Sequence, residues 1–272
     1  MSVHSNNTEK VTTQTLRKMK TNGEIIASLT AYDAAFARVL DRAGCDFILV
    51  GDSVGMVVQG QSTTIPVTVD DIIYHTRLVA RGATRALIMA DMPFMSYHSP
   101  ADCLHNAARL MKEGGAEMVK LEWGALQLDM VARLTECGIP VCAHLGLTPQ
   151  AIHKLGAYRV QGREQETAAK MLHDARALEA AGADMLLLEC VPMGLAEQIT
   201  RAATVPVIGI GAGPDVDGQI LVLYDILDIA PGKRTRFSKN YMTGVDSIHA
   251  AIESYVVEVK SKTFPTAAYA FQ

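Results

Sequence analysis

The segment A-A-G-A-D-M-L-L-L-E-C (180–190) shows a pattern that recurs along the chain. It contains the end of a helix, a glycine, a short apolar strand and then a carboxylate. The same order occurs in R-A-G-C-D-F-I-L-V (42–50) and K-E-G-G-A-E-M-V-K-L (112–121). Glycine commonly ends a helix, and a helix followed by a buried strand is the repeating unit of parallel α/β folds. The predicted helix stops are Gly44, Gly114 and Gly182.

Together with these segments, the apolar runs of the chain predict eight short buried strands. This number favours a single (β/α)8 barrel of the TIM type, and 272 residues with 49% hydrophobic content suit a barrel of that size. Periodicity does not show whether the sheet closes, so a doubly wound open sheet is the alternative fold. The strands are expected near residues 25–29, 46–51, 86–90, 117–121, 140–143, 184–188, 206–210 and 220–224.

The domain organisation is expected to be simple. Residues 1–10 form a polar N-terminal tail, and residues 11–272 form one barrel domain. A final helix, near residues 245–261, follows a basic loop at 231–241.

Composition narrows the class of protein. A net charge of −4 gives no reason to expect a nucleic-acid or membrane partner. No apolar run approaches the length of a membrane span, and the N-terminus lacks the apolar stretch of a signal peptide. The five cysteines show no C-x-x-C spacing, which favours free thiols in a reducing cytoplasm.

A polar side chain follows each of five apolar strands. In a β/α barrel the carboxyl ends of the strands form the catalytic rim, so these side chains are expected to face one site. Carboxylates and a histidine on one rim can hold a hard metal ion and leave a base free. The residues are Asp52 after F-I-L-V-G, Asp91 after L-I-M-A, Glu122 after M-V-K-L, His144 after V-C-A and Glu189 after M-L-L-L.

Asp52 and Asp91 follow neighbouring strands, so their carboxylates can converge. Two carboxylates, completed by substrate oxygens and water, are a common way to hold Mg²⁺. The alternative is that each aspartate caps a helix or a turn.

Lys120 and Glu122 are two residues apart on the fourth strand and share a face. A buried lysine needs a partner, so Lys120 is expected to contact a substrate carboxylate or the acidic cluster. A Schiff-base nucleophile and a purely structural ion pair are the alternatives.

Glu189 follows a strongly apolar strand, which should raise its pKa and suit it to act as a general base near neutral pH. The alternative is a rim carboxylate paired with a basic neighbour. His144 is more simply interpreted as a hydrogen-bonded structural residue than as a ligand. The glycines of G-I-G-A-G (209–213) either bind phosphate or allow close packing at the rim.

Several long motifs run through the chain, from about residue 10 to the C-terminus. They are L-T-A-Y-D (29–33), V-G-D-S-V-G-M-V-V-Q-G (50–60), A-D-M-P-F-M-S-Y (90–97), H-L-G-L-T-P-Q (144–150), V-Q-G-R (160–163), L-E-C-V-P (188–192) and P-V-I-G-I-G-A-G (206–213). Together these motifs resemble the ketopantoate hydroxymethyltransferase family, a β/α barrel family related to the phosphoenolpyruvate mutase and isocitrate lyase superfamily.

The resemblance implies hydroxymethyl transfer from 5,10-methylenetetrahydrofolate to C3 of 3-methyl-2-oxobutanoate, through an enolate stabilised by Mg²⁺, giving ketopantoate for pantothenate synthesis. It also implies a large homo-oligomer, a homodecamer in this family. Where the family has a glycine pair after the strand-four glutamate, this chain has Trp123-Gly124.

The same resemblance implies roles for individual residues. Asp52 and Asp91 would ligate Mg²⁺, and Glu122 would act on it through water. Ser53 would bind the ketoacid carboxylate together with Lys120, and Glu189 would be the base. His144 and Tyr32 are candidate supporting residues at the rim.

Two other functions are considered. A metal-dependent 2-oxoacid lyase or mutase of the superfamily often uses a cysteine on a mobile loop, but no cysteine lies near 55–65 or 91–99. A non-catalytic barrel would be expected to have lost one or more of the rim acids, and all are present.

Overall fold

The computed structural model describes residues 9–122, 128–230, 232 and 234–272. Within these ranges, eight parallel strands pair in chain order, and the first pairs with the last to close a barrel. The predicted TIM-type barrel is therefore confirmed, and the open-sheet alternative is wrong. The strands are β1 (Ile26–Thr30), β2 (Phe47–Val50), β3 (Leu87–Asp91), β4 (Met118–Leu121), β5 (Val141–Gly146), β6 (Met185–Glu189), β7 (Val207–Ile210) and β8 (Gly218–Leu221).

Helices lie between the strands and form the outer layer. Several begin at a side chain that accepts a backbone N–H, as Asp33, Thr68 and Ser99 do. The α-helices are α1 (Thr13–Asn22), α2 (Ala34–Ala43), α3 (Val54–Val57), α4 (Val69–Gly82), α5 (Pro100–Arg109), α6 (Leu128–Glu136), α7 (Ile152–Leu155), α8 (Gln165–Ala180), α9 (Met193–Ala202), α10 (Leu223–Ile226) and α11 (Ile248–Lys260).

Two of the predicted boundaries that differ from the structure have a physical explanation. The apolar run at 220–224 suggested a strand, but β8 begins at Gly218, and the end of the run forms α10. A side chain at Gly218 would meet the Ile26 carbonyl oxygen at 2.5 Å, so glycine allows β8 to approach β1. At Gly114 the helix continues as a π-helical turn (Leu110–Gly114), and Gly115 ends it in a left-handed conformation.

The core is one continuous apolar cluster that joins the strands to the surrounding helices. At the amino end of the barrel, buried Asp46 forms ion pairs with Arg85 and with Lys260 of α11. These contacts fasten the C-terminal helix to the start of β2. The predicted N-terminal tail lies outside the described residues except for its last two positions.

Four of the five cysteines are buried, Cys137 is exposed, and all five are free thiols. No helix in the described part of the chain is both long and apolar enough to cross a membrane.

Candidate active site

The carboxyl ends of the strands open into a cavity of about 510 Å³. All but one of the predicted site residues line it, although they come from five different strands or the turns after them. This convergence follows from the parallel barrel, which brings every strand end to the same rim. The cavity-lining residues among those predicted are Asp52, Ser53, Asp91, Lys120, Glu122, His144 and Glu189.

Asp52 and Asp91 meet at the ends of β2 and β3. The Asp52 backbone N–H donates to Asp91 Oδ2 at 2.8 Å. Gly51 makes room for this contact, since a β-carbon there would lie 3.2 Å from the same oxygen. The Asp52 side chain caps no helix; its Oδ2 accepts a hydrogen bond from Gln150 Nε2 instead. The capping alternative is therefore wrong for Asp52.

Lys120 lies among the carboxylates. Its Nζ is 2.7 Å from Asp91 Oδ1 and 3.7 Å from Glu122 Oε1, and the side chain is 4% exposed. Burial lowers the pKa of Lys120, but the charges of Asp91 and Glu122 outweigh burial and hold it above its usual value. A protonated amine cannot attack a carbonyl carbon, so this environment opposes the Schiff-base alternative.

Gln150 joins two of the acids and was not assigned a role by the sequence. Its backbone N–H donates to Glu122 Oε2 at 3.0 Å, and its side-chain amide donates to Asp52. The amide oxygen accepts from the Tyr97 hydroxyl. The motif H-L-G-L-T-P-Q (144–150) contained the signal, but only the folded chain shows what its last residue contacts.

Glu189 stands at the end of β6, where His144 of β5 approaches it. His144 Nε2 lies 3.5 Å from Glu189 Oε2. Gly146 permits the approach of the two strand ends, since a β-carbon there would meet the Glu189 carbonyl oxygen at 2.2 Å. Burial, followed by repulsion from Glu122, raises the pKa of Glu189 to about 8. Its side chain is still 15% exposed, so it can reach a ligand in the cavity.

The ring of His144 lies between the acidic cluster and Glu189. Its Nδ1 is 3.3 Å from Lys120 Nζ and 3.5 Å from Glu122 Oε1. Burial, followed by the Lys120 charge, lowers the pKa of His144, while Glu122 acts in the opposite sense. A neutral ring with its proton on Nδ1 would face Glu122 with a donor, and one with its proton on Nε2 would face Glu189.

Tyr32 is the one predicted residue outside the lining of the cavity. Its hydroxyl lies 2.7 Å from Ser53 Oγ, and its backbone oxygen lies 2.7 Å from His75 Nδ1. Tyr32 therefore holds the Ser53 hydroxyl at the cavity wall.

The glycines at 209–213 serve close packing. A β-carbon at Gly211 would lie 2.9 Å from the Phe237 ring, and one at Gly213 would lie 2.6 Å from Met193 Cβ. Of the two alternatives for this motif, the structure shows the packing role. Trp123 lies outside the described residues.

The electrostatics of the cluster suit a divalent cation. Asp52, Asp91 and Glu122 are at most 4% exposed, and Lys120 is the one ammonium that contacts them in the described ranges. Burial and repulsion from Asp91 and Glu122 raise the pKa of Asp52 well above its usual value. A bound cation would remove this excess negative charge.

Oxygen atoms of substrate and water would complete the ligand set of the cation. Among described residues, no hydrogen bond reaches Asp52 Oδ1, which leaves that oxygen available. In the same ranges, no three His, Cys, Asp or Glu side chains are grouped closely enough to hold one ion alone. Two aspartates with substrate and water oxygens are the arrangement that Mg²⁺ usually takes.

Comparison with known proteins identifies close relatives. A model of the family described as ketopantoate hydroxymethyltransferase matches residues 10–267. The 3-methyl-2-oxobutanoate hydroxymethyltransferase of Alkalilimnicola ehrlichii is 60% identical over 261 residues, which are 96% of this chain and 94% of the relative. The enzyme of the same name from Halorhodospira halophila is 57% identical, over 96% of this chain and 95% of the relative.

Solved structures share the fold at low identity. The 2,3-dimethylmalate lyase of the PEP mutase/isocitrate lyase superfamily has a TM-score of 0.58 at 18% identity, covering 77% of this chain and 80% of that one. Phosphonopyruvate hydrolase in complex with oxalate and Mg²⁺ has a TM-score of 0.59 at 14% identity, with the same coverage. Likeness at these identities bears on the fold alone.

Proposed function

The chain belongs to the ketopantoate hydroxymethyltransferase family, and on that premise we propose how its site carries out the reaction. It is a transferase that adds a hydroxymethyl group to 3-methyl-2-oxobutanoate in pantothenate synthesis. Membership of this family excludes the two other functions considered, a lyase or mutase of the superfamily and a non-catalytic barrel. The proposal concerns the residues, the cation and the donor of the one-carbon unit.

In this proposal Asp52 and Asp91 would hold Mg²⁺, and Glu122 would act on it through water. The support is their burial together, the excess negative charge and the available Asp52 oxygen. When bound, the cation supplies a positive charge that stabilises the negative charge developing on the ketone oxygen. Lys120 and Ser53, both in the cavity wall, bind the ketoacid carboxylate.

Glu189 is the general base. It removes the single proton on C3, which becomes acidic only when charge on the ketone oxygen is stabilised. Its raised pKa makes it a stronger base than an ordinary glutamate, so it matches the task near neutral pH. The observation that carries this assignment is its position, in the same cavity as Asp52 and Asp91 but on the opposite side of the barrel.

His144 orients the base. In this role the ring carries its proton on Nε2, which lies 3.5 Å from Glu189 Oε2, and accepts from Lys120 at Nδ1. The neutral ring can hold the Glu189 carboxylate in place without neutralising it. His144 thus links the base to the residues around the cation.

The donor of the one-carbon unit is 5,10-methylenetetrahydrofolate, which together with water supplies the CH₂OH group. The carrier provides the electrophile, so the protein needs no nucleophile of its own. This agrees with the protonated state of Lys120.

The assembly is proposed to be a large homo-oligomer, a homodecamer as in the family, working in the cytoplasm. Large apolar side chains that are exposed in the single chain, such as Tyr74 and Val257, are available for subunit contacts. Light scattering that showed a stable active monomer would contradict this.

The test of the mechanism is hydrogen exchange at C3. NMR in heavy water follows loss of the C3–H signal of 3-methyl-2-oxobutanoate, with and without Mg²⁺ and with no folate present. We expect exchange that depends on Mg²⁺. An exchange rate in the presence of a chelator equal to that with Mg²⁺ would show that the mechanism does not need the cation.

A further inference from the structure

The cavity extends beyond the acids to a second wall that the ketoacid does not need. The second wall, as this part of the lining is called below, contributes one carboxylate, two guanidinium groups and three aromatic rings to the cavity. Its residues are Asp225, Arg159, Arg236, Tyr158, Phe237 and Phe271. The following inference rests on the proposed function, because it assigns a site to the carrier of the one-carbon unit.

Asp225 lies on the short helix α10, at the strand-β8 side of the cavity. Its side chain is partly buried, yet among the described residues no hydrogen bond or ion pair reaches its carboxylate. Arg234, whose charge acts on Asp225, forms its ion pair with Asp228 instead. Asp225 is close enough to Glu189 for its charge to contribute to the raised pKa of that base. A carboxylate without a hydrogen-bond or ion-pair partner among the described residues therefore lines the same cavity as the base Glu189.

The two guanidinium groups lie at the exposed mouth. Arg159 and Arg236 are both exposed, and within the described part of the chain neither guanidinium contacts a carboxylate. Arg236 Cζ lies 5.5 Å above the ring of Phe271, which in turn packs edge-on against Phe237 with ring centroids 6.4 Å apart. The mouth thus combines flat apolar surface with positive charge.

We propose that this second wall is the binding site for the reduced pterin carrier. Asp225 accepts hydrogen bonds from the 2-amino group and adjacent ring N–H of the pterin, while Arg159 and Arg236 bind the carboxylates of its glutamyl tail. The aromatic rings contact the part of the carrier between these ends.

The chemistry of the carrier supports the assignment of its pterin end to Asp225 and of its tail to the two arginines. The 2-amino-4-oxopyrimidine edge of a pterin presents two neighbouring donors, which match the two oxygens of one carboxylate. The tail carries anionic groups that arginine recognises well. A pterin held by Asp225 at its pyrimidine edge would direct its other ring, which carries the one-carbon unit, into the cavity that also holds Glu189 and the ketoacid.

The test compares two ligands that differ only at the tail. Titration calorimetry under anaerobic conditions measures binding of tetrahydrofolate, and of tetrahydropteroate, which lacks the glutamate, to the Mg²⁺-loaded full-length protein. Asp225→Asn should weaken both ligands by roughly 10- to 100-fold, because a charge-assisted pair of hydrogen bonds is lost. Arg159→Ala and Arg236→Ala should each weaken tetrahydrofolate by about 2- to 5-fold and leave tetrahydropteroate unchanged. Arg176→Ala, on the outer face of α8, is the matched control.

The possible results distinguish a failure of the proposed carrier site from a failure of the proposed reaction mechanism. Wild-type binding of both ligands by a folded Asp225→Asn variant would overturn the pterin contact. Equal effects of the arginine substitutions on both ligands would overturn the tail contacts. Failure of C3–H exchange in the wild-type protein without folate would instead count against the proposed mechanism.

Discussion

Gln150 Nε2 donates a hydrogen bond of 2.8 Å to Asp52 Oδ2, although the two residues are 98 positions apart in the chain. The same glutamine donates its backbone N–H to Glu122. One residue on the turn after β5 therefore fixes two carboxylates from β2 and β4. We infer that Gln150 sets the spacing of the acids before a cation arrives.

Replacing Gln150 should loosen the cation site without touching the base. Gln150→Ala removes the side-chain contact to Asp52 and should reduce Mg²⁺ affinity by about 10- to 100-fold, as is typical for residues that orient metal ligands. Titration calorimetry measures this directly. Gln165→Ala, on the exposed start of α8, is the control. Unchanged affinity in Gln150→Ala would show that the carboxylates hold their positions unaided.

Glu189→Gln should separate binding from catalysis. The amide keeps the shape of the side chain but cannot accept the C3 proton, so turnover should fall by about 10²- to 10⁴-fold or more. Mg²⁺ and ketoacid affinity should stay close to wild type. The variant should also lose C3–H exchange in heavy water. Normal exchange would mean that another group removes the proton.

The pH dependence of stability should reveal Glu189. Its pKa is about 8 in the folded protein against 4.5 ordinarily, so between these values the folded state keeps a proton that the unfolded state has released. Stability of the metal-free protein should therefore fall as pH rises through this window, by at most about 1.4 kcal/mol per pH unit for this group.

Thermal unfolding measured from pH 5 to 8.5 tests this linkage. Glu189→Gln should give a shallower decline than wild type, and the difference should be largest near pH 8. Equal slopes in the two proteins would show that Glu189 titrates normally. In the exchange reaction, bound Mg²⁺ should shift the rise in rate to a pH below 8, because a nearby positive charge favours the carboxylate.

Asp52→Asn should stabilise the metal-free protein while destroying the cation site. Removing one of three crowded carboxylates relieves repulsion, and each kcal/mol gained raises the melting temperature by about 2–4 °C. Mg²⁺ at 100 times its Kd should stabilise the wild type by about 2.7 kcal/mol and leave the variant unchanged. Asp129→Asn, on exposed α6, serves as the control. Equal stabilisation of both proteins by Mg²⁺ would place the ion elsewhere.

Lys120→Ala should affect ketoacid affinity before it affects the chemical step. A contact to the substrate carboxylate exists in both ground and transition states, so KM should rise more than kcat falls. Steady-state kinetics tests this, with Lys170→Ala on exposed α8 as the comparison. Borohydride treatment in the presence of ketoacid should trap no adduct on wild-type Lys120. A trapped adduct would restore the Schiff-base mechanism.

Local sequence was sufficient to predict the barrel and its rim. The helix, glycine and strand order is a short-range signal, so the strand positions followed from it within a few residues. The rim position of Asp52, Asp91 and Glu189 followed from chain direction alone, because parallel strands end at one edge. Glu122, at the end of the fourth strand, was found in the same way.

Long-range contacts could not be predicted in this way. Gln150 and Asp225 lie in turns or short helices with no periodic pattern, and their importance depends on which distant groups they meet or fail to meet. The choice between phosphate binding and close packing at Gly211 depended on whether Phe237 packs against it. Phe237 is 26 residues further along the chain, so the local sequence contained no sign of that contact. Strand β8 was misplaced because a glycine that fits against Ile26 has no local signature.

The closed order of the barrel has a consequence for how activity is acquired during folding. The cation ligands Asp52 and Asp91 belong to the first half of the ring, while Glu189 belongs to the second half. A half-formed sheet could therefore gather the acids or position the base, but it could not bring the two to one substrate. Catalysis therefore requires the complete ring, because a partly folded chain has no single site that can both bind the ketoacid and remove its C3 proton.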